Sequence, residues 1–375
     1  MRGVKRYVWG LAAILLMAGA RAYAAARDAS AVSIAGIYAL AGMNEPVRKE
    51  VLANKNVDGV ALRYWWGDVE PSEGSYNWRR IDSAIAEARG HGKKVSLAVA
   101  AGIGTPPWVY ADGVVPFVFR WTKPWGPLLC SEQRIPVPWD PVYLSKWRAF
   151  VRQLGLRYDS NPTVVLVKFT GLNGATAESS LPHEKGKVIA RRGGSCAGSD
   201  DRAEWRQLGY SSEKVAAAWK QIADTFAQSF PHKPFAMMIG PGDLPRIDGH
   251  ARGRRTGSPA RGPLSAELLD QGIADYDGRF VVQSNSLSGV WSWKAVASMA
   301  TRASTGYQML WRVTGDRNCR MNRRVTPCDP HAVLEAAVNR GIDAGALYLE
   351  IYAADILNPN LQDILAGAHQ KLSSR

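Results

Sequence analysis

Eight short apolar runs with amphipathic stretches between them constrain the fold of this chain more than any other feature. The runs are Ile34–Leu40, Gly59–Trp65, Lys94–Ala100, Val164–Thr170, Pro234–Ile239, Arg279–Ser284, Gly306–Trp311 and Ala344–Ile351. Their length and side chains read as strands. Between them, Trp78–His91, Leu144–Tyr158 and Ser212–Phe230 repeat with helical periodicity. Strand–helix alternation calls for a parallel sheet. Eight such units predict an α/β fold closed into one (β/α)8 TIM barrel over residues 31–375. No glycine-rich phosphate fingerprint follows the first run, which removes the main reason to expect a dinucleotide fold.

The segments after the strands are long, and polar and aromatic residues gather there. "RYWWGDVEPSEGSYNW" follows the second run, "AGIGTPPWVYADG" the third, "TGLNGATAESSLP" the fourth and "GPGDLPRIDGHARGRRTGSPARGPLS" the fifth. Loops of this length in a compact domain are usually functional or disordered. In a barrel they emerge on the C-terminal face, where active sites lie. Glu178, in the loop after the fourth strand, is thereby expected on the working face.

Basic Arg2, Lys5 and Arg6 precede an apolar stretch from Tyr7 to Ala20, and Ala22-Tyr23-Ala24 has the small-x-small form of a cleavage site. Residues 1–24 therefore read as a signal peptide, and the location as periplasmic or secreted. The formal charge of +14 includes four basic and no acidic residues in that leader, leaving +10 on the remainder. Much of the surplus clusters at Arg191-Arg192, at Arg246 to Arg261 and at Arg317 to Arg324. A basic exported surface points to an acidic polymer or the envelope rather than to nucleic acid, or is simply a solubility feature. Four cysteines in such a chain fit two disulfides: a local Cys319–Cys328 bridge, and Cys130–Cys196 across two loops. No Cys or His spacing resembles a zinc site, so neither metal nor cofactor is expected.

"LRYWWGDVEPSEGSYNWRRID" resembles the second-strand signature of the clan A glycoside hydrolases, in the manner of families 5 and 42. "KKVSLAVAAGIGTPPWVY" is similar to their third-strand segment. "VPWDPVYLSKWRAFVRQLGLRYDSNPTVVLVKFTGLNG" is similar to the helix and strand that lead to their acid/base. The resemblance implies a TIM-barrel glycosidase acting on a polysaccharide or oligosaccharide, with Glu178 near the acid/base position. The usual Asn-Glu pair is altered, since Asn173 is followed by Gly174. The seventh strand, where the clan carries its nucleophile, offers Gln308 and no glutamate. Glu350, between Leu349 and Ile351 on the eighth strand, is the second carboxylate expected from this chain, because an acid on an apolar strand is costly unless its surroundings use it. Two carboxyls, one protonated and one ionised, support the oxocarbenium-like transition state of glycosidic cleavage.

Arg63 is expected to orient a carboxylate or a sugar hydroxyl. Asn173, Asn285 and Gln308 are polar residues at strand ends. Trp65, Trp66, Trp108, Trp291 and Trp311 are candidates for stacking on sugar rings, and Tyr352 is a substrate-binding candidate placed to support Glu350. Each has a plainer reading: a salt bridge for Arg63, a strand cap for Asn173, core packing for any one Trp. Glu70 reads as a turn residue, and Asp355 as support for Glu350. The same residues also fit a carbohydrate-binding barrel without catalysis, or an accessory protein of exopolysaccharide biosynthesis.

Overall fold

The computed structural model describes residues 34–122, 128–186, 188–191, 194–248 and 263–375. Two units divide the chain. The first, Met1–Ile34, lies outside the described residues apart from Ile34, and with it the expected leader; the second, Ala35–Arg375, is the barrel. Arg252, Arg254, Arg255 and Arg261 of the basic cluster also lie outside the described residues.

Eight strands close the barrel: β1 (Gly36–Met43), β2 (Gly59–Trp65), β3 (Lys94–Ala100), β4 (Val164–Phe169), β5 (Phe235–Ile239), β6 (Phe280–Leu287), β7 (Thr305–Met309) and β8 (Tyr348–Tyr352). Each pairs in parallel with its neighbours in chain order, and β8 closes on β1. The eight apolar runs of the sequence are these strands. After them come α1 (Lys49–Ala53), α2 (Arg79–Gly90), α3 (Pro141–Tyr158), α4 (Ser212–Ser229), α5 (Leu264–Asp275), α6 (Lys294–Met299), α7 (Pro330–Asp343) and α8 (Gln362–Ser373). Start signals are local. Asp140 accepts from the Val142 and Tyr143 amides at the head of α3, with Pro141 as its first residue, so the helix starts three residues before the periodicity predicts. Asp329 and Pro330 do the same for α7.

Strand pleating sends alternate residues into the barrel. The inward set is unusual in mixing small residues with polar ones. Gly306 shows why: a Cβ there would lie 2.1 Å from the Tyr348 ring. Tyr348 and Tyr38 meet edge to face at 5.7 Å and plug the interior. The outward faces form the main hydrophobic core with the helices. There Trp66, Trp147 and Phe150 pack between the strand–helix units of β2 and β3.

Two long loops hold structure of their own. After β3, Pro116–Arg120 pairs antiparallel with Glu132–Pro136. After β4, Val188–Arg191 pairs with Gly194–Ala197, and a short helix, Asp201–Gln207, follows. The Cys130–Cys196 disulfide joins these two regions, and Cys319–Cys328 closes the loop after β7. Among the described residues no helix is long and apolar enough to cross a membrane.

Candidate active site

The floor of the site is a buried charged network. Lys168, inward on β4, lies 2.7 Å from Glu350 Oε1 on β8. Its ammonium also donates to Tyr348 Oη at 3.1 Å and to Gln283 Oε1. Gln283 Nε2 donates to Glu350 Oε2 at 2.9 Å. Burial lowers the Lys168 pKa from the ordinary lysine value, against the opposing pull of Glu350. Glu350 is 1% exposed. Glu350, expected as the nucleophile or base, thus lies buried on the barrel floor, and a buried carboxylate needs a partner such as Lys168.

Above the floor, Glu178 reaches the mouth because its loop is pinned on both sides. Ile103 N–H donates to Gly174 O at 3.0 Å, tying the loop to the segment after β3. That approach requires glycine at 102, whose φ is +55° and where a Cβ would lie 2.0 Å from Gly174 O. On the other side, Ser179 N–H donates to Met238 O on β5 at 2.8 Å, and Leu181 N–H to Asp243 O at 2.9 Å. Asp243 Oδ1 accepts from Ser180 Oγ at 3.2 Å, and its Oδ2 accepts from Gly240 N–H at 2.5 Å. The four residues between Asn173 and Glu178 fold back in this way, and the Glu178 side chain is left 15% exposed.

Glu178 Oε1 lies 3.9 Å from Arg63 Nη1 and 3.5 Å from Gln308 Nε2. Glu178 Oε2 has no hydrogen-bond partner among the described residues. Arg63 is held by its Nε, which donates to Ala41 O at 2.8 Å. Tyr352 stands in the same group, its pKa pushed up to about 12 by burial, with Arg63 opposing and Glu178 adding to the shift. Trp311 lies 5.8 Å from Tyr352, and the Arg320 guanidinium sits 3.9 Å over the Trp311 ring. Trp65 packs with Ala98, Ala100, Met238 and Ala177, the residue before Glu178. Asn285 completes the rim, accepting at Oδ1 from Gln283 at 2.9 Å.

The structure thus gathers Glu178, Arg63, Trp65, Asn285, Gln308, Trp311 and Tyr352 around one mouth. Three other sequence candidates sit elsewhere. Trp66 is 0% exposed, donates to Glu70 Oε2 at 2.7 Å and belongs to the core, because β2 ends at Trp65 and a short helix begins at Trp66. Trp108 is edge-on to Trp66 and donates to Glu70 O at 3.1 Å, outside the mouth. Asn173 braces its own loop, accepting from Gly171 N–H and donating to Thr176 O, both at 3.0 Å. Glu70 is the turn residue expected, its Oε1 accepting from Gly74 N–H at 2.9 Å. Asp355 accepts from the Val313 and Thr314 amides and so anchors the loop after β7, not Glu350. Sequence reasoning missed Lys168, Asp243 and Arg320. Only Lys168 carries a signal: a lysine inside "VVLVKF" must find an acid. Among the described residues no group of three His, Cys, Asp or Glu side chains could hold a metal ion.

Residues 48–174 match the family model of glycoside hydrolase family 42, described as beta-galactosidase. No curated protein matches the chain. Endo-glycoceramidase II from Rhodococcus sp., in a five-membered iminocyclitol complex, superposes with a TM-score of 0.51 at 12% identity, over 88% of this chain and 78% of that one. Its lactosyl-enzyme intermediate gives the same figures. An endo-beta-1,4-glucanase from Xanthomonas axonopodis pv. citri gives a TM-score of 0.49 at 9% identity, over 90% of this chain and 100% of that one. Identity this low shows the shared fold alone. The match to glycoside hydrolase family 42 is confined to the segment from α1 through β4, about a third of the chain, and the fold around it is a TIM barrel shared with known glycosidases.

Proposed function

We propose that this protein cleaves glycosidic bonds of a polysaccharide or oligosaccharide at the barrel mouth, with Glu178 as the general acid and base. The observation that carries this reading is Glu178 itself. One oxygen faces Arg63 and Gln308 while the other has no partner, in a mouth rimmed by Trp65, Trp311 and Tyr352. An aromatic rim suits the apolar faces of sugar rings, and a positioned carboxyl suits protonation of a leaving oxygen.

The two-carboxylate mechanism expected from the sequence asks Glu350 to face the same sugar. Its ion pair with Lys168 and its burial argue against that, so Glu350 is assigned to holding the floor. The mouth field favours a polyanion. Lys168 pairs with Glu350, Arg320 lies over Trp311, and Arg312, Arg317, Arg323 and Arg324 are exposed along the segment after β7. An acidic polysaccharide is the substrate proposed on that basis. Export is proposed from the leader-like N-terminus and the two disulfides.

A second reading, a sugar-binding barrel without turnover, is favoured by Gln308 standing on β7 where the clan carries its nucleophile. Product formation from a panel of acidic and neutral polysaccharides separates the two. Turnover by the wild type and none by Glu178→Gln supports hydrolysis. Binding by calorimetry without product from either protein supports the second reading.

A further inference from the structure

Between Leu310 and Cys328 the loop after β7 carries five arginines against one acid, Asp316. One of the five differs from the rest. Arg312, Arg317, Arg323 and Arg324 are exposed, whereas the Arg320 side chain is 25% exposed and its guanidinium lies 3.9 Å over the Trp311 ring. The loop fixes it there. Asp316 Oδ2 accepts from Arg320 N–H at 2.7 Å and Oδ1 from Asn318 N–H at 3.2 Å, so that carboxylate is engaged by the turn. Trp311 N–H donates to Met321 Sδ at 3.3 Å, and Gly289 N–H donates to Met321 O at 3.1 Å, which ties the contact to the loop after β6. The Cys319–Cys328 disulfide closes the loop immediately before Arg320. On either side of the short 3-10 helix Arg320–Asn322, Cys319 and Arg323 take φ values of 46° and 51°. Residues other than glycine hold that left-handed conformation only where their surroundings impose it.

What Arg320 lacks is an oxygen to bind. The indole supports its charge but offers its N–H groups no acceptor oxygen. Nε lies 3.6 Å from Asp316 Oδ1, too far for a hydrogen bond, and Nη1 and Nη2 have no hydrogen-bond partner among the described residues. Trp311 lies 5.8 Å from Tyr352, which stands in the field of Glu178 and Arg63, so Arg320 borders the same mouth as Glu178. The complement of a planar fork of N–H donors is a negative group with two oxygens in one plane, which is a carboxylate. On a sugar that group is the carboxylate of a uronic acid, whose ring then lies against the aromatic rim.

We propose that the sugar unit bound beside Trp311 is a uronic acid, and that Arg320 selects it by pairing with its carboxylate. This deepens the glycosidase reading and rests on it, narrowing the acidic polysaccharide to one charged through carboxylates. The four exposed arginines have a different part. They draw a polyanion towards the mouth, an effect that salt screens and that does not depend on the shape of the anion.

The test uses the full chain and polysaccharides matched by backbone: polygalacturonate, alginate and a glucuronic acid-containing heteropolysaccharide. Each is compared with its carboxyl-reduced form and with the sulfate ester of that reduced form, at fixed ionic strength, by release of reducing ends. In the best-cleaved set the carboxylate form is expected to exceed its reduced partner in kcat/KM by about tenfold or more, the size of one charge-assisted hydrogen bond. Arg320→Gln is expected to lose most of that ratio through a rise in KM for the carboxylate form. Arg320→Lys, which keeps the charge without the fork, is expected to recover only part of it. The matched polymers on the unaltered protein need no variant, so the proposal stays testable where a change at Arg320 disturbs the loop. Equal turnover within every set overturns the uronate site and leaves the glycosidase reading standing. A ratio that survives in Arg320→Gln overturns the assignment to Arg320, because a merely structural residue lowers both members together. A preference for the sulfate ester overturns the choice of carboxylate. If no polymer is cleaved, yet calorimetry shows binding that favours the carboxylate form and loses that preference in Arg320→Gln, the glycosidase reading falls and the uronate site is supported. Neither cleavage nor preferential binding overturns both.

Discussion

Between Arg63 and Gln308, the Glu178 side chain has one oxygen in place and one free, the arrangement a proton-transferring carboxyl needs. Glu178→Gln keeps the shape and removes the acid. Turnover is expected to fall by about 10²–10⁴-fold with the melting temperature unchanged; a variant that retains wild-type turnover contradicts the assignment. The adjacent tryptophans give a second contrast. Trp65 lines the mouth, so Trp65→Ala is expected to raise KM with little change in melting temperature. Trp66 is core, so Trp66→Ala is expected to destabilise the fold by about 3–5 kcal/mol. Denaturant unfolding alongside kinetics checks both. The place of Glu178 at the barrel mouth was legible in the sequence because a loop that follows a barrel strand emerges on the C-terminal face. Trp66 was not, because nothing in "WW" marks the residue at which strand gives way to helix.

At the scale of elements, β4 and β8 are coupled by Lys168 and Glu350 across the barrel. Lys168→Met leaves a carboxylate buried without its partner and is expected to cost about 3–5 kcal/mol, whereas Lys168→Met combined with Glu350→Leu is expected to recover most of that loss. If the double variant is less stable than the single one in urea unfolding, the pair is not the floor described here. Asp243 ties the Glu178 loop to the end of β5, and burial holds its carboxyl above the ordinary value of 3.8 despite its hydrogen bonds. A folded pKa above the unfolded one means that the folded state binds the proton more tightly. The stability this contributes is complete below the ordinary value and is lost as pH rises through the raised one. The melting temperature of Asp243→Asn relative to wild type is therefore expected to rise across that window; a flat difference contradicts it. The sequence marked Glu350 as an acid in need of company. It did not show that the company was Lys168, since a partner on a distant strand is brought close only by closure of the barrel.

For the whole molecule, the strand–helix rhythm carried the fold, because each strand must be apolar on its outward face and each helix on the face that meets it, and neither pattern depends on distant contacts. The loops carried less: two hairpins and the return of the Glu178 loop rest on tertiary hydrogen bonds and on glycines such as Gly102. The disulfides bear unequally on stability. Cys130–Cys196, with a sequence separation of 66, closes a far longer segment than Cys319–Cys328 at 9. Loop-closure entropy predicts a loss of about 4 kcal/mol on removing the first and about 2.5 kcal/mol on removing the second. Paired Cys→Ser variants compared by denaturant unfolding check that order. The measurement closest to the central claim is a crystal structure of Glu178→Gln with a bound oligosaccharide substrate. The account predicts a glycosidic oxygen within about 3 Å of the residue 178 side chain, with the sugar seated between Trp65, Trp311 and Tyr352. An oligosaccharide bound in the mouth with its glycosidic oxygens turned away from residue 178, or bound elsewhere on the protein, would contradict it.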